Sequence, residues 1–265
     1  MKNIIKIIEE INLIANLLSR RDIDELTKED LKRKSGSSKA DLLILLGSSD
    51  VQSVSLAGKA LEDQVADHLL ICGGKGHSTS FLVQNVQREA SLSDIQTNNQ
   101  SEAEILYQIL MNHFSIDPVI VFLETTSANC GSNAHEALRV VQQQALKHSV
   151  VILIQDAMMQ LRTDASFQKE WATEQTTFVN FSSRKPQLVL KNNQIQFKMD
   201  NPPWTLERYL SLILGEIPRL KDDPKGYGPK GKGFISHVDI PPEIETAFER
   251  IINTLPEETV SREIT

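Results

Sequence analysis

Four stretches of the chain gather the residue types that bind and transform small polar molecules. The first is Gly47-Ser48-Ser49-Asp50 and the second is Gly73-Gly74-Lys75-Gly76-His77-Ser78-Thr79. The third runs from Glu124 through Ser127 and Asn129 to Asn133, and the fourth is Gln155-Asp156-Ala157-Met158. Glycine lets a backbone approach a ligand closely or adopt positive φ, and a helix starting just after it offers unpaired N–H groups to an anion. His77 belongs to the one side-chain type that titrates near neutrality without help, which suits a proton carrier. Asn129 and Asn133 each bring a donor and an acceptor to the edge of a base or a sugar. The same residues also cap helices: Ser78 or Thr79 after the glycine loop, Ser127 or Asn129 further on. Both readings stay open at this point.

Position is what makes the four stretches stand out together. Apolar runs at 41–46, 69–72, 119–123 and 150–154 alternate with amphipathic segments at 54–66, 80–89, 102–113, 134–146 and 160–171. Short apolar runs separated by helix-length segments predict βαβ units, hence an α/β fold with a largely parallel sheet flanked by helices. In such a sheet the ligand crevice lies outside the carboxyl ends of the strands. All four stretches fall there, whereas the opposite ends begin with ordinary residues such as Lys39, Asp67, Asp117 and His148. The backbone of loop 73–76 is therefore expected to touch the ligand, so that Gly74→Val would abolish binding and leave the fold intact.

Around this core the sequence places two smaller parts. Residues 1–39 read as an N-terminal helical arm ending in the polar run 32–39, a linker, with Ile4, Ile5, Ile8, Ile11, Leu13, Ile14, Leu17 and Leu18 at helical spacing. Residues 40–200 form the ligand-binding domain, closed by short strands at 177–181, 188–190 and 195–197 that finish the sheet as edge strands or a hairpin around Asn192-Asn193. Residues 201–265 read as a helical cap: a stop at Asn201-Pro202-Pro203, a helix over 204–216, a Gly/Lys-rich segment over 218–236, a helix over 242–255 and a polar tail. Tyr227 and Phe234 anchor the Gly/Lys-rich segment, which is expected to border the crevice as a lid.

Composition removes several classes of function. A net charge of −7 argues against nucleic acid as a partner, since that surface gains affinity from clustered Lys and Arg. The N-terminal apolar residues are broken by Lys6, Glu9 and Glu10, which fits neither a signal peptide nor a membrane span, so a cytoplasmic protein is expected. Cys72 and Cys130 are too few for a disulfide framework and read as reduced thiols. His at 68, 77, 113, 135, 148 and 237 lacks metal-ligand spacing, so no metal is expected. Gly226 to Gly233 has the spacing of a phosphate-binding loop, but Gly233 stands where the Mg²⁺-binding Ser or Thr belongs and no strand precedes it. The first strand ends in a single glycine, Gly47, without the glycine-rich turn of a dinucleotide site.

The segments LLILLGSSD, LLICGGKGHSTSFL, SEAEIL, TTSANCGSNAHEAL, VVILIQDAMMQLRT and WTLERYLSLILGEIPRLKDDPKGYGPKGKGFISHVD resemble the YdcF proteins, part of a wider family with the SanA and ElyC envelope proteins. The resemblance implies a Rossmann-like domain joined to a smaller helical domain, with S-adenosylmethionine as ligand. It puts weight on Gly47, Gly73, Gly74, Gly76, His77, Glu102, Ser127, Asn129, Asn133, Asp156 and Arg162, and Ser48 joins them as the neighbour of Gly47. Under that reading Asp156 and Glu102 are acid/base or ribose-contacting carboxylates, His77 a proton carrier and Arg162 an anion clamp. Gln100 stands where the pattern has a basic residue, and the Asp156 loop lacks a His found in many members. The ligand class is a nucleoside-like small molecule. An enzyme acting on it, a sensor that only holds it, and an envelope-related regulator are the uses that remain.

Overall fold

The computed structural model of the chain describes residues 2–254. Five parallel strands, β1 (Ala40–Leu46), β2 (Ala66–Cys72), β3 (Val121–Glu124), β4 (Val150–Ile154) and β5 (Thr177–Asn180), lie in the order β3-β2-β1-β4-β5. The chain lays β2 and β3 to one side of β1, then returns to place β4 on its other edge, with Leu46 opposite Cys72 and Leu42 opposite Val151. The boundary between β1 and β4 is thus the topological switch point, where a crevice opens between diverging loops.

Two apolar layers explain the helices. Leu43 and Leu45 of β1 point to one face, with Leu69, Ile71, Ile152 and Ile154, under α3 (Gln52–Glu62), α4 (Thr79–Arg88) and α5 (Glu102–His113). Leu42, Ile44 and Leu46 point to the other, under α6 (Cys130–Gln143) and α7 (Gln160–Glu170). A central strand covered on both faces must be apolar wherever it is buried, which is why β1 reads LLILL from Leu42 on, after the partly buried Asp41 at its entry. The chain is a Rossmann-like α/β fold, a largely parallel sheet flanked by helices, as its sequence predicts.

The ends of the chain meet. Helix α1 (Lys2–Leu18) lies against α9 (Pro242–Thr254) and α8 (Leu206–Leu220), and Ile11, Ile14 and Leu18 share one core with Tyr209, Ile213, Ile217 and Ile251. The arm and the cap are therefore one packed unit. The expected linker at 32–39 begins inside helix α2 (Lys28–Ser35), capped by Thr27 and ended by Gly36 at φ 82. Just upstream, Asp22 and Asn180 exchange two bonds of 2.8 Å that fasten the N-terminal segment to the edge of β5. Of the three closing strands only β5 joins the main sheet. β6 (Leu188–Lys191) and β7 (Gln194–Phe197) form a separate hairpin whose turn residues Asn192 and Asn193 both take positive φ, the requirement of a tight two-residue turn. Leu188 sends its side chain into the core of the helical unit.

Helix α8 continues four residues beyond the expected stop at Glu216, carrying Pro218 in its last turn. The predicted polar tail after residue 255 lies outside the described residues. Among the described residues no helix is long and apolar enough to cross a membrane.

Candidate functional site

The glycines at the ends of β1 and β2 surround a carboxylate. A Cβ on Gly47 would collide with Glu102 Oε2, and one on Gly73 would meet Glu102 Cβ at 3.1 Å. Glu102 opens α5, and its own N–H and that of Ala103 bond the carbonyls of Gly74 and Gly73 at 2.9 and 2.8 Å. Its Oε1 accepts from the hydroxyls of Ser78 and Thr79 at 2.7 and 2.8 Å. Burial raises the Glu102 pKa above the ordinary carboxylate value, and the two hydroxyl donors pull it back without cancelling the rise. Gly47, Gly73 and Glu102 are thus a packed joint between α5 and the strand ends.

The other two glycines are filled in the same way. A Cβ on Gly74 would fall 2.5 Å from the carbonyl of Ser127 and 2.7 Å from that of Thr125, and one on Gly76 would fall 2.8 Å from that of Ala128. The Gly74 N–H donates to Ser127 O at 2.7 Å. The expectation that Gly74→Val spares the fold is therefore corrected: the space a side chain needs is occupied by backbone of the loop after β3, and backbone cannot move aside cheaply.

The loop after β3 is self-contained. Glu124, at the end of β3, accepts from the Thr126 and Ser127 N–H groups at 2.6 and 2.9 Å and from both hydroxyls. The Ser127 hydroxyl, whose one hydrogen goes to Glu124, also lies against the Asn133 side-chain amide. Asn129 is the N-cap of α6, accepting from the Ser132 N–H at 3.0 Å in a capping box. Of the two readings of Ser127, Asn129 and Asn133 from sequence, capping and loop bracing are what their side chains do. Glu124, which holds the loop, was named in the sequence only as its first residue.

A different set of side chains stands at the switch point. Ser48 takes the Asp50 N–H at 3.2 Å, and the fully buried Asp50 carboxylate receives Arg184 in two bonds, 2.9 and 3.0 Å. Beside it, after β4, Asp156 accepts from the Met158 N–H and from the Trp204 indole N–H, both at 2.9 Å. Burial pushes the Asp156 carboxyl up to about 6; the Met158 N–H opposes this, the Asp50 charge adds to it, and Trp204 and Arg208 oppose it. Asn85 of α4 ties the two sides by donating to Ser49 O at 2.7 Å and Pro203 O at 3.0 Å.

Beside them opens a cavity of about 350 Å³, bordered by Ser49, Asp50, Asn85, Arg88, Arg184, Pro203 and Trp204. Its size is that of a small-ligand pocket. Trp204 and the Pro202-Pro203 pair give it a flat apolar wall, and the remaining groups are polar or charged. Of the twelve residues singled out from sequence none lines it; Ser48 and Asp156 each touch a residue that does. Asp50 stood in the first strand-end stretch. Trp204 opens the C-terminal segment WTLERYL, whereas Arg184, Asn85 and Arg88 carry no motif and only their packing at this one place marks them.

The remaining candidates are placed elsewhere. Arg162, the expected anion clamp, is bound at 2.5 and 3.0 Å to Glu216, a strut between α7 and α8. His77 is exposed at the rim of the glycine loop. Both thiols are buried; burial and the Glu124 charge hold Cys72 well above the usual thiol range, and Cys130 lies 3.5 Å from the Thr163 hydroxyl. The expected lid at 218–236 instead folds onto α7 and α8: Tyr227 and Ile235 are buried, Ser236 N–H bonds Ala165 O at 3.0 Å, and Phe234 is half exposed. Its residues do not line the cavity. Among the described residues no group of three or more His, Cys, Asp or Glu is arranged to hold a metal. No family model matches the chain.

Proposed function

We propose that the chain is a binding protein for a small nucleoside-like molecule, held in the cavity at the β1/β4 switch point. The observation that carries this reading is the cavity itself, where the Trp204–Pro203 wall faces Asn85, Arg88 and the Asp50–Arg184 pair. A planar ring stacks on the indole, and polar substituents meet the amide, guanidinium and serine groups opposite. Asp156 acts as a positioning residue: its carboxylate fixes the indole through the N–H bond of 2.9 Å. His77, Glu102 and Asp156, the acid/base candidates from the sequence, do not line the cavity, and of the two carboxylates that do, Asp50 is held by Arg184; this favours holding the ligand over transforming it.

The resemblance to the YdcF proteins makes S-adenosylmethionine the first ligand to try, and the residues suit its nucleoside half. Trp204 and Pro203 would hold the adenine, Arg88 and the Ser49 hydroxyl its polar edges. When bound, that molecule supplies an electrophilic methyl group. The seat that common methyltransferases build for its amino-acid end from a glycine-rich turn has no counterpart at Gly47, whose free space Glu102 fills. Binding at micromolar affinity or weaker without methyl transfer is the expected behaviour.

Calorimetric titration with S-adenosylmethionine and its demethylated product tests the assignment, followed by incubation of the methyl-labelled form with cell extract. Comparable, modest affinities and no labelled product agree with it. Submicromolar binding with labelled product contradicts the non-transferring reading, and no heat at millimolar ligand removes S-adenosylmethionine.

A further inference from the structure

The arginines in the interior of the protein are accounted for, with one exception. Arg20 bonds Asp22 and Asp164, Arg21 the carbonyls of Ser182 and Ser183, Arg162 Glu216, and Arg184 Asp50. Arg208, in the first turn of α8, is half buried, yet no carboxylate among the described residues lies within ion-pair distance of it. Its guanidinium rests on the face of Phe81, 4.4 Å from the ring centroid. Phe81 belongs to the first turn of α4, which follows β2, whereas Asp156, whose charge Arg208 senses, follows β4. The guanidinium therefore lies between α4 and the carboxylate after β4, four residues on from Trp204 and behind the residues that line the cavity.

A second observation marks the same place. The hydroxyl of Tyr209, a residue with no exposed surface, has no hydrogen-bond partner, and the Asp156 charge acts on it. The side-chain amide nitrogen of Gln155, next to Asp156, is likewise buried and unpaired. Buried donors without acceptors are rare and costly, so a region that holds two of them beside an unbridged guanidinium is short of acceptor oxygens.

We propose that Arg208 is the anion receptor of this crevice and takes the carboxylate or phosphate of the ligand whose ring lies against Trp204. This rests on the nucleoside reading and adds the chemical class: a nucleoside that bears a carboxylate or phosphate, not one without an acidic group. The flat guanidinium, already stacked on Phe81, presents its edge N–H groups for a two-pronged bond to a planar or tetrahedral oxyanion. Arg162, bonded by Glu216 at 2.5 Å, has no such edge to offer.

Two pairs of probes test it by calorimetry: S-adenosylmethionine against its decarboxylated form, and adenosine monophosphate against adenosine. Wild type is expected to prefer the anionic member of at least one pair by about tenfold or more, and the pair that shows this names the group as carboxylate or phosphate. Arg208→Gln should bind both members alike, at the wild-type affinity for the uncharged group. Arg208→Lys, which keeps the charge and loses the fork, should retain part of the preference and serves if the glutamine variant unfolds. A preference left intact in both variants, or no preference in wild type, overturns the inference while leaving the nucleoside reading standing. A wild type that binds no member of either pair overturns both.

Discussion

Two regions at the carboxyl edge of the sheet invite opposite errors. The glycine cluster at 47 and 73–76 has the composition of a ligand loop, yet each glycine yields its space to a protein atom: Glu102 at Gly47 and Gly73, and the carbonyls of 125–128 at Gly74 and Gly76. The switch point is made of large charged and aromatic side chains with no glycine loop, yet a cavity opens there. Glycine reports that something comes close. It does not report whether that is a ligand or the next loop.

If that contrast holds, the two regions should fail in different ways: one to changes of charge, the other to changes of volume. The largest effect is expected outside both regions, as the reference for a charge defect, from Glu216→Leu, which strands the Arg162 guanidinium in the interior and should cost about 3–5 kcal/mol in urea denaturation. Combining it with Arg162→Met should restore most of the loss, because the pair is replaced by apolar volume. A double variant as unstable as the single one would show that the strut matters for some reason other than charge.

Gly74→Val comes next, with an expected loss of roughly 3 kcal/mol from the collision with two carbonyl oxygens. Gly131→Ala is the control, since its Cβ would meet only Asn129 Oδ1, at 3.4 Å, and should change stability by no more than about 1 kcal/mol. Equal tolerance at both positions would mean that the glycine loop has room for a ligand after all.

The third effect is a pH dependence. Asp156 has a folded pKa of about 6 against an ordinary 3.8, so between these values the folded state holds the proton more tightly than the unfolded chain. Its contribution is present below pH 3.8 and is lost as the pH rises through about 6, a change of about 2–3 kcal/mol. Subtracting the stability of Asp156→Asn across pH 4 to 7 should isolate that slope. A flat difference would place the carboxyl in water. Smallest in stability is Arg88→Ala, an exposed side chain on the cavity wall: within about 0.5 kcal/mol in denaturation, but several-fold weaker in ligand titration.

Much of the fold was legible because parallel strands buried on both faces must be apolar throughout, and Leu42 to Leu46 or Val151 to Ile154 announce that locally. Asn192-Asn193 announced a hairpin for the same local reason, positive φ. What the hairpin packs against was not legible, because Leu188 meets α1 through a contact spanning 176 residues, Asn12 to Leu188. The candidate site shares that difficulty. Arg184 finds Asp50 across 134 residues and Trp204 finds Asp156 across 48, pairings fixed by the course of the chain and written in no local pattern. The strand-end rule points to the edge of the sheet where the cavity opens, and the glycines at that edge mark close packing between loops.

Hydrogen exchange with and without saturating S-adenosylmethionine tests most directly which of the two regions holds the ligand. The account predicts slower exchange in peptides covering 48–51, 85–88 and 201–208, with the glycine loop at 73–77 unchanged. Protection confined to 73–77, with the switch-point peptides exchanging as before, would contradict it.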